Sequence, residues 1–184
     1  MRLYHSLYLL LMKNTFRGID HIGWTVPDLE AATQFLEQAF GAQVIYDSHL
    51  KTSPPQAGAV VEQQLGLPPG GQVIQIRLLR LANGPSLELF EVARAQQQSP
   101  ATIVDLSFTH IGLYVDDMAA ATQRFQAAGG RLLSAPHELK GVEAGPGNEF
   151  VYGHTPWGAL VELLTYPAGV RAPDPQVPRW TPAP

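Results

Sequence analysis

The sequence predicts an α+β fold: two paired βαβββ modules forming a curved, mostly antiparallel sheet around a central site. Three observations carry this expectation. The stretch HIGWTVPDLEAATQFLEQAFG, from His21 to Gly41, recurs without a gap as HIGLYVDDMAAATQRFQAAGG, from His110 to Gly130. His21, Ile22, Gly23, Val26 and Asp28 align with His110, Ile111, Gly112, Val115 and Asp117, and the run Ala31-Ala32-Thr33-Gln34 repeats as Ala120-Ala121-Thr122-Gln123. Each copy is followed by three short stretches with strand character, the last of them holding one glutamate among apolar neighbours. A repeat of this length is a duplicated module rather than a solenoid unit.

The elements follow in order. Gly18 to Val26 reads as a strand, with His21, Gly23 and Thr25 on one face and Ile22, Trp24 and Val26 on the other. Asp28 caps a helix whose buried stripe is Ala32, Phe35, Leu36, Ala39 and Phe40, and Gly41 ends it. Gln43 to Tyr46 begins a second strand. Residues 48 to 71, with two Pro-Pro pairs, form a long connection in which Val60 to Leu65 makes a short helix. Val73 to Leu81 and Ser86 to Val92 are strands around a turn at Asn83-Gly84. In the second copy, residues 107 to 115 form a strand, Asp116 or Asp117 caps the helix, and Gly129-Gly130 ends it. Arg131 to Ser134, Phe150 to His154 and Ala159 to Tyr166 are strands, with a polar, Gly-rich loop at 136 to 148. The expected organisation is an extension at 1–16, a first module at 17–92, a linker at 93–105, a second module at 106–167 and a Pro-rich tail at 168–184, which Trp180 could pin to the body. The short apolar run in MRLYHSLYLLLMK reads as a loosely packed extension with Met12 as an alternative start.

Composition excludes several functions. The net charge is −4 and no Lys/Arg cluster stands out, which argues against a nucleic-acid partner. No apolar run is long enough to span a membrane. The chain has no cysteine, so disulfides, thiolate metal sites and a cysteine nucleophile are impossible, and a cytoplasmic location fits.

The chemistry lies in the repeat. Aligning the ends of the two modules places Gly84 on Gly158, Glu88 on Glu162 and Leu89 on Leu163. Each module therefore has a histidine in its first strand and a glutamate in its last. A carboxylate between Leu87 and Leu89, or between Val161 and Leu163, needs a partner if buried. Two imidazoles and two carboxylates brought together by a pseudo-twofold suit one divalent cation, Zn, Ni, Fe, Co or Mn rather than Ca. Either residue type alone is more often structural; recurrence at matching positions favours a site.

The motifs HIGWTVPDLEAATQFLEQAFG, SLELFE, HIGLYVDD and TPWGALVEL resemble the vicinal oxygen chelate superfamily, which includes glyoxalase I, bleomycin resistance proteins, methylmalonyl-CoA epimerase and extradiol dioxygenases. The resemblance covers about residues 17 to 167. It implies His21, Glu88, His110 and Glu162 as metal ligands, Glu162 and Glu88 as the groups that move a proton, and a homodimer. It further implies a glyoxalase-like lyase or isomerase acting through an enediolate on a small substrate with vicinal oxygens. A bleomycin-resistance-type binding protein without turnover is the alternative, and an extradiol dioxygenase the third. The stretch from Val151 to Glu162 fits the dioxygenase pattern, but Glu143 stands where that pattern has its acid–base histidine. His154, Tyr114 and Glu143 are the candidate substrate-binding residues. Trp24 and Trp157 could line an apolar pocket, although core packing explains them equally well.

Overall fold

A computed structural model describes residues 18–170 and 180–181. The extension at 1–16, most of the tail and the question of the alternative start lie outside the described residues. Trp180 is largely exposed.

Module one contains β1 (His21–Val26), α1 (Leu29–Phe40), β2 (Gln43–His49), α2 (Ala59–Leu65), β3 (Gln72–Arg80) and β4 (Ser86–Ala93). Module two contains β5 (His110–Tyr114), α3 (Met118–Ala127), β6 (Arg131–Leu132), β7 (His137–Glu138), a 3-10 turn (Gly141–Glu143), β8 (Glu149–His154) and β9 (Leu160–Thr165). The first sheet runs β1-β4-β3-β2 and the second β5-β9-β8-β6, with β7 added on β8. In both, the first strand pairs parallel with the last and the remaining pairs are antiparallel.

The helix signals act as read. Asp28 accepts from the Ala31 amide and Asp117 from the Ala120 amide, each satisfying an orphan donor of the first turn. Gly41 closes α1 at φ 70°, a left-handed conformation a side chain would resist. The second helix instead ends on Ala128 in right-handed conformation, and Gly129 alone takes the positive φ. The expected strand at 131–134 is two residues long, although the Leu133 amide still donates to the Tyr152 carbonyl, and pairing resumes at His137 in a shifted register.

Between the modules, α1 packs on α3. Phe35, Phe40 and Phe125 meet there, with Phe40 and Phe125 stacked at 5.9 Å. Gly153 leaves room for the Phe125 ring: a Cβ at this position would sit 2.7 Å from it. Arg124 reaches from α3 to the Gln38 and Glu37 carbonyls at the end of α1. One core runs through both modules and includes Leu36, Leu87, Leu89, Phe125, Val161 and Leu163. The sheets stay separate: β1 and β5 are edge strands, and a cleft of about 510 Å³ lined by both lies between them.

Candidate metal and proton-transfer site

The side-chain alternation of strands decides which residues can meet. Leu87 and Leu89 enter the core beneath α1, so Glu88 faces the opposite side of its sheet. In the same way Val161 and Leu163 enter the core and Glu162 faces outward. The parallel register sets Gly23 beside Glu88 and Gly112 beside Glu162. The histidine two residues earlier on the same face then lies diagonal to the carboxylate, within reach across neighbouring strands. A glycine beside each glutamate keeps the approach open; at Gly112 a Cβ would lie 3.6 Å from the Glu162 carboxylate.

The contacts follow. His21 Nε2 lies 3.3 Å from Glu88 Oε2, and His110 Nε2 lies 3.4 Å from Glu162 Oε2. Each Nδ1 is engaged elsewhere: His21 with Asp20 at 2.8 Å and His110 with Thr109 at 2.9 Å. The bond from Asp20 is the main cause holding the His21 imidazole above its ordinary value, with burial opposing it and Glu88 adding to it. No lysine or arginine pairs with Glu88 or Glu162 among the described residues. Two partly open Nε2/Oε2 pairs without a cationic partner are donors that fit a divalent ion.

The chain presents these donors as two pairs. Among the described residues no three His, Asp or Glu side chains gather as a metal-holding group. The sequence left open whether the site forms within one chain or between two, and the structure shows one His–Glu contact within each module.

Module two carries a further group. Tyr152 on β8 stands opposite Glu162 on β9. Its hydroxyl lies 3.5 Å from His110 Nε2, beside the Glu162 carboxylate. Burial first, and the negative Glu162 second, push its phenol up to about 12. The first-strand histidine and last-strand glutamate were legible in the repeat, whereas Tyr152 was not. Its signal was period two: it sits two residues before His154, and the cross-strand register puts it beside Glu162.

The other expected residues fall nearby. His154 shares the face, but its Nδ1 is tied to the Gly158 carbonyl at 2.8 Å, so part of its role is to close the β8–β9 turn. Tyr114 follows His110 and Gly112 on their face of β5 and stacks on Tyr166 at 6.1 Å. The Tyr166 hydroxyl donates to Glu143 at 3.1 Å, linking the 3-10 turn to this wall. The loop is fixed by fully buried Asn148, which donates to the Glu143 and Gly169 carbonyls and accepts from the Ala168 amide. Trp24 and Trp157 instead meet edge to face at 5.3 Å on the core side, with Phe35 against Trp157, although both rings also border the cleft.

Known proteins share this architecture. A glyoxalase family protein from Bacillus cereus superposes with a TM-score of 0.64 at 18% identity, over 84% of this chain and 97% of its own. A genomically encoded fosfomycin resistance protein from Listeria monocytogenes gives 0.53 at 18% identity, over 82% and 94%. In sequence, the chain is 33% identical over 157 residues to a 2-epi-5-epi-valiolone epimerase from an Actinomyces species, covering 83% of this chain and 81% of that protein. The family model described as glyoxalase/bleomycin resistance protein/dioxygenase superfamily matches residues 20–152, a span that holds three of the four paired His and Glu residues and Tyr152. With two βαβββ modules and a His/Glu pair in each, the chain belongs to that superfamily.

Proposed function

We propose that the chain is a metal-dependent isomerase of epimerase type, acting on a small, uncharged, polyhydroxylated cyclic ketone. One observation carries the reading: each module sets a histidine Nε2 against a glutamate Oε2 on the face away from the helices, with no lysine or arginine on either carboxylate among the described residues. The relative named as an epimerase supports the reaction class.

His21, Glu88, His110 and Glu162 would hold a divalent ion, which would supply positive charge beside the substrate carbonyl. The carbon beside that carbonyl then loses its proton to the Glu162 carboxylate, and the bonding pair moves onto the carbonyl oxygen. Tyr152, protonated throughout the physiological range, stands beside Glu162 and holds it in place. Reprotonation from the opposite face by the Glu88 carboxyl inverts the centre; the two carboxylates exchange protons with solvent to reset. No oxidant is consumed.

The character of the surroundings supports an uncharged substrate. Arg77 is committed to Glu30 and Asp47, Lys51 to Glu91, and Arg124 to backbone carbonyls. No described lysine or arginine pairs with either site carboxylate, and Tyr152, Tyr114 and Thr25 suit hydroxyl groups.

The two pairs can share an ion within one chain or with a second copy of the chain, the homodimer that the family resemblance implies. Mixing His21→Ala and His110→Ala proteins separates these. A site shared between copies recovers activity on mixing, because one of its two sites is then intact; a site within one chain does not. The reaction is tested by proton NMR in D2O with metal-loaded protein and a 2-keto cyclitol. The expected result is deuterium uptake at the carbon beside the carbonyl, lost in Glu162→Gln. Tight binding without exchange would establish a binding protein instead, and oxygen-dependent cleavage of a catechol would establish a dioxygenase.

A further inference from the structure

Each imidazole of the site is held from behind by the residue immediately before it. Asp20 Oδ1 lies 2.8 Å from His21 Nδ1, and Thr109 Oγ1 lies 2.9 Å from His110 Nδ1. Adjacency alone does not give this contact, since successive side chains in a pleated strand point to opposite faces. Here β1 begins at His21 and β5 at His110, so Asp20 and Thr109 lie just outside the pleat and their side chains can turn back to the ring. The anchor recurs at the same position in both modules while its chemistry differs, a carboxylate in one and a hydroxyl in the other.

Two consequences follow for metal binding. Engaging Nδ1 leaves Nε2 as the nitrogen available for coordination, and Nε2 is the atom that meets Glu88 or Glu162. An ionised acceptor also makes a hydrogen bond roughly twice as strong as a neutral one and raises the basicity of the ligating nitrogen. We infer that Asp20 and Thr109 are positioning residues of the metal site and that they make its halves unequal, the Asp20–His21–Glu88 half gripping the ion harder. This rests on the metal-site reading above.

The test is calorimetric titration of the full chain with Zn2+ or Mn2+ alone. The Asp20 side chain is 94% exposed, so its replacement leaves the fold intact, which an unchanged melting temperature checks. Asp20→Ala is expected to weaken metal binding by about 10–100-fold. Asp20→Asn, which keeps an oxygen acceptor without the charge, recovers part of that loss, and Thr109→Val loses less than Asp20→Ala. Wild-type affinity in Asp20→Ala, alongside lost binding in His21→Ala, would overturn the positioning role while leaving the metal site standing. Equal losses in Asp20→Ala and Thr109→Val would overturn the inequality. A wild-type protein that takes up no ion would remove the site and this inference together.

Discussion

The third strands of the two modules, β3 and β8, occupy equivalent places and carry their polar groups on opposite faces. Leu78 pairs with Glu88 where Tyr152 pairs with Glu162, so the site face holds a leucine in one module and a phenol in the other. On the helix face the order reverses. Arg77 pairs with Leu89 where Val151 pairs with Leu163. Arg77 reaches α1 and β2, binding Glu30, Thr33 and Asp47, whereas Val151 is wholly buried in apolar surroundings. Module one thus spends its polar residues holding its helix to its sheet. Module two buries Val151 against its helix and has a phenol to place beside its carboxylate. Duplication supplied two similar His/Glu pairs, and divergence on one strand made their surroundings chemically unequal.

The largest expected effect tests that inequality at the carboxylates. Glu162→Gln should lower turnover by on the order of 10²–10⁴-fold, the usual contribution of a positioned base, and by more than Glu88→Gln does. Equal losses, measured as kcat at saturating metal, would break the comparison. Next is the helix face. Arg77→Ala leaves Asp47, only 17% exposed, without its partner, and should destabilise the protein by about 3–5 kcal/mol in urea unfolding. A loss below about 1 kcal/mol would mean the network contributes no more than a surface ion pair.

Tyr152→Phe removes the phenol beside Glu162 and His110; a hydrogen bond to a charged group contributes about 1.5–3 kcal/mol, so activity should fall by on the order of 10–100-fold. The equivalent Leu78→Phe should leave activity within a few-fold of wild type, since Leu78 offers no hydrogen bond to lose. Similar losses in both would show that shape, not the phenol, matters at this position.

The smallest effect is acid stability. The Arg77 guanidinium holds Glu30 below its ordinary value of 4.5, with burial opposing. A depressed folded value stabilises the fold fully above the unfolded value and loses that contribution as pH falls through the folded one. Glu30 is 63% exposed, so its share is on the order of 1 kcal/mol or less. Urea midpoints of wild type should therefore drop more steeply below about pH 4.5 than those of Glu30→Gln; parallel curves would contradict this.

What the sequence reveals and what it hides follow the same division. His21, Glu88, His110 and Glu162 were legible because duplication marks them twice and because a carboxylate between two apolar strand residues must face away from the core. The helices were legible through Asp28, Asp117 and Gly41. Tyr152 was hidden because β3 and β8 barely align, so their equivalence emerges only from pairing with β4 and β9. The buried Arg77 was hidden for the same reason: its partners come from a helix and a strand remote in sequence. The separation of the ligands into two pairs depends on how α1 packs against α3, and no local pattern encodes the angle between two sheets.

The account turns on the two pairs serving one ion. Titration of wild type, of His21→Ala/Glu88→Ala and of His110→Ala/Glu162→Ala with Zn2+ or Mn2+ tests this most directly. The expected result is one ion per chain in wild type, with binding lost from both double variants, because neither half holds the ion alone. Wild-type affinity surviving in either double variant, or no ion bound by wild type at neutral pH, would contradict it.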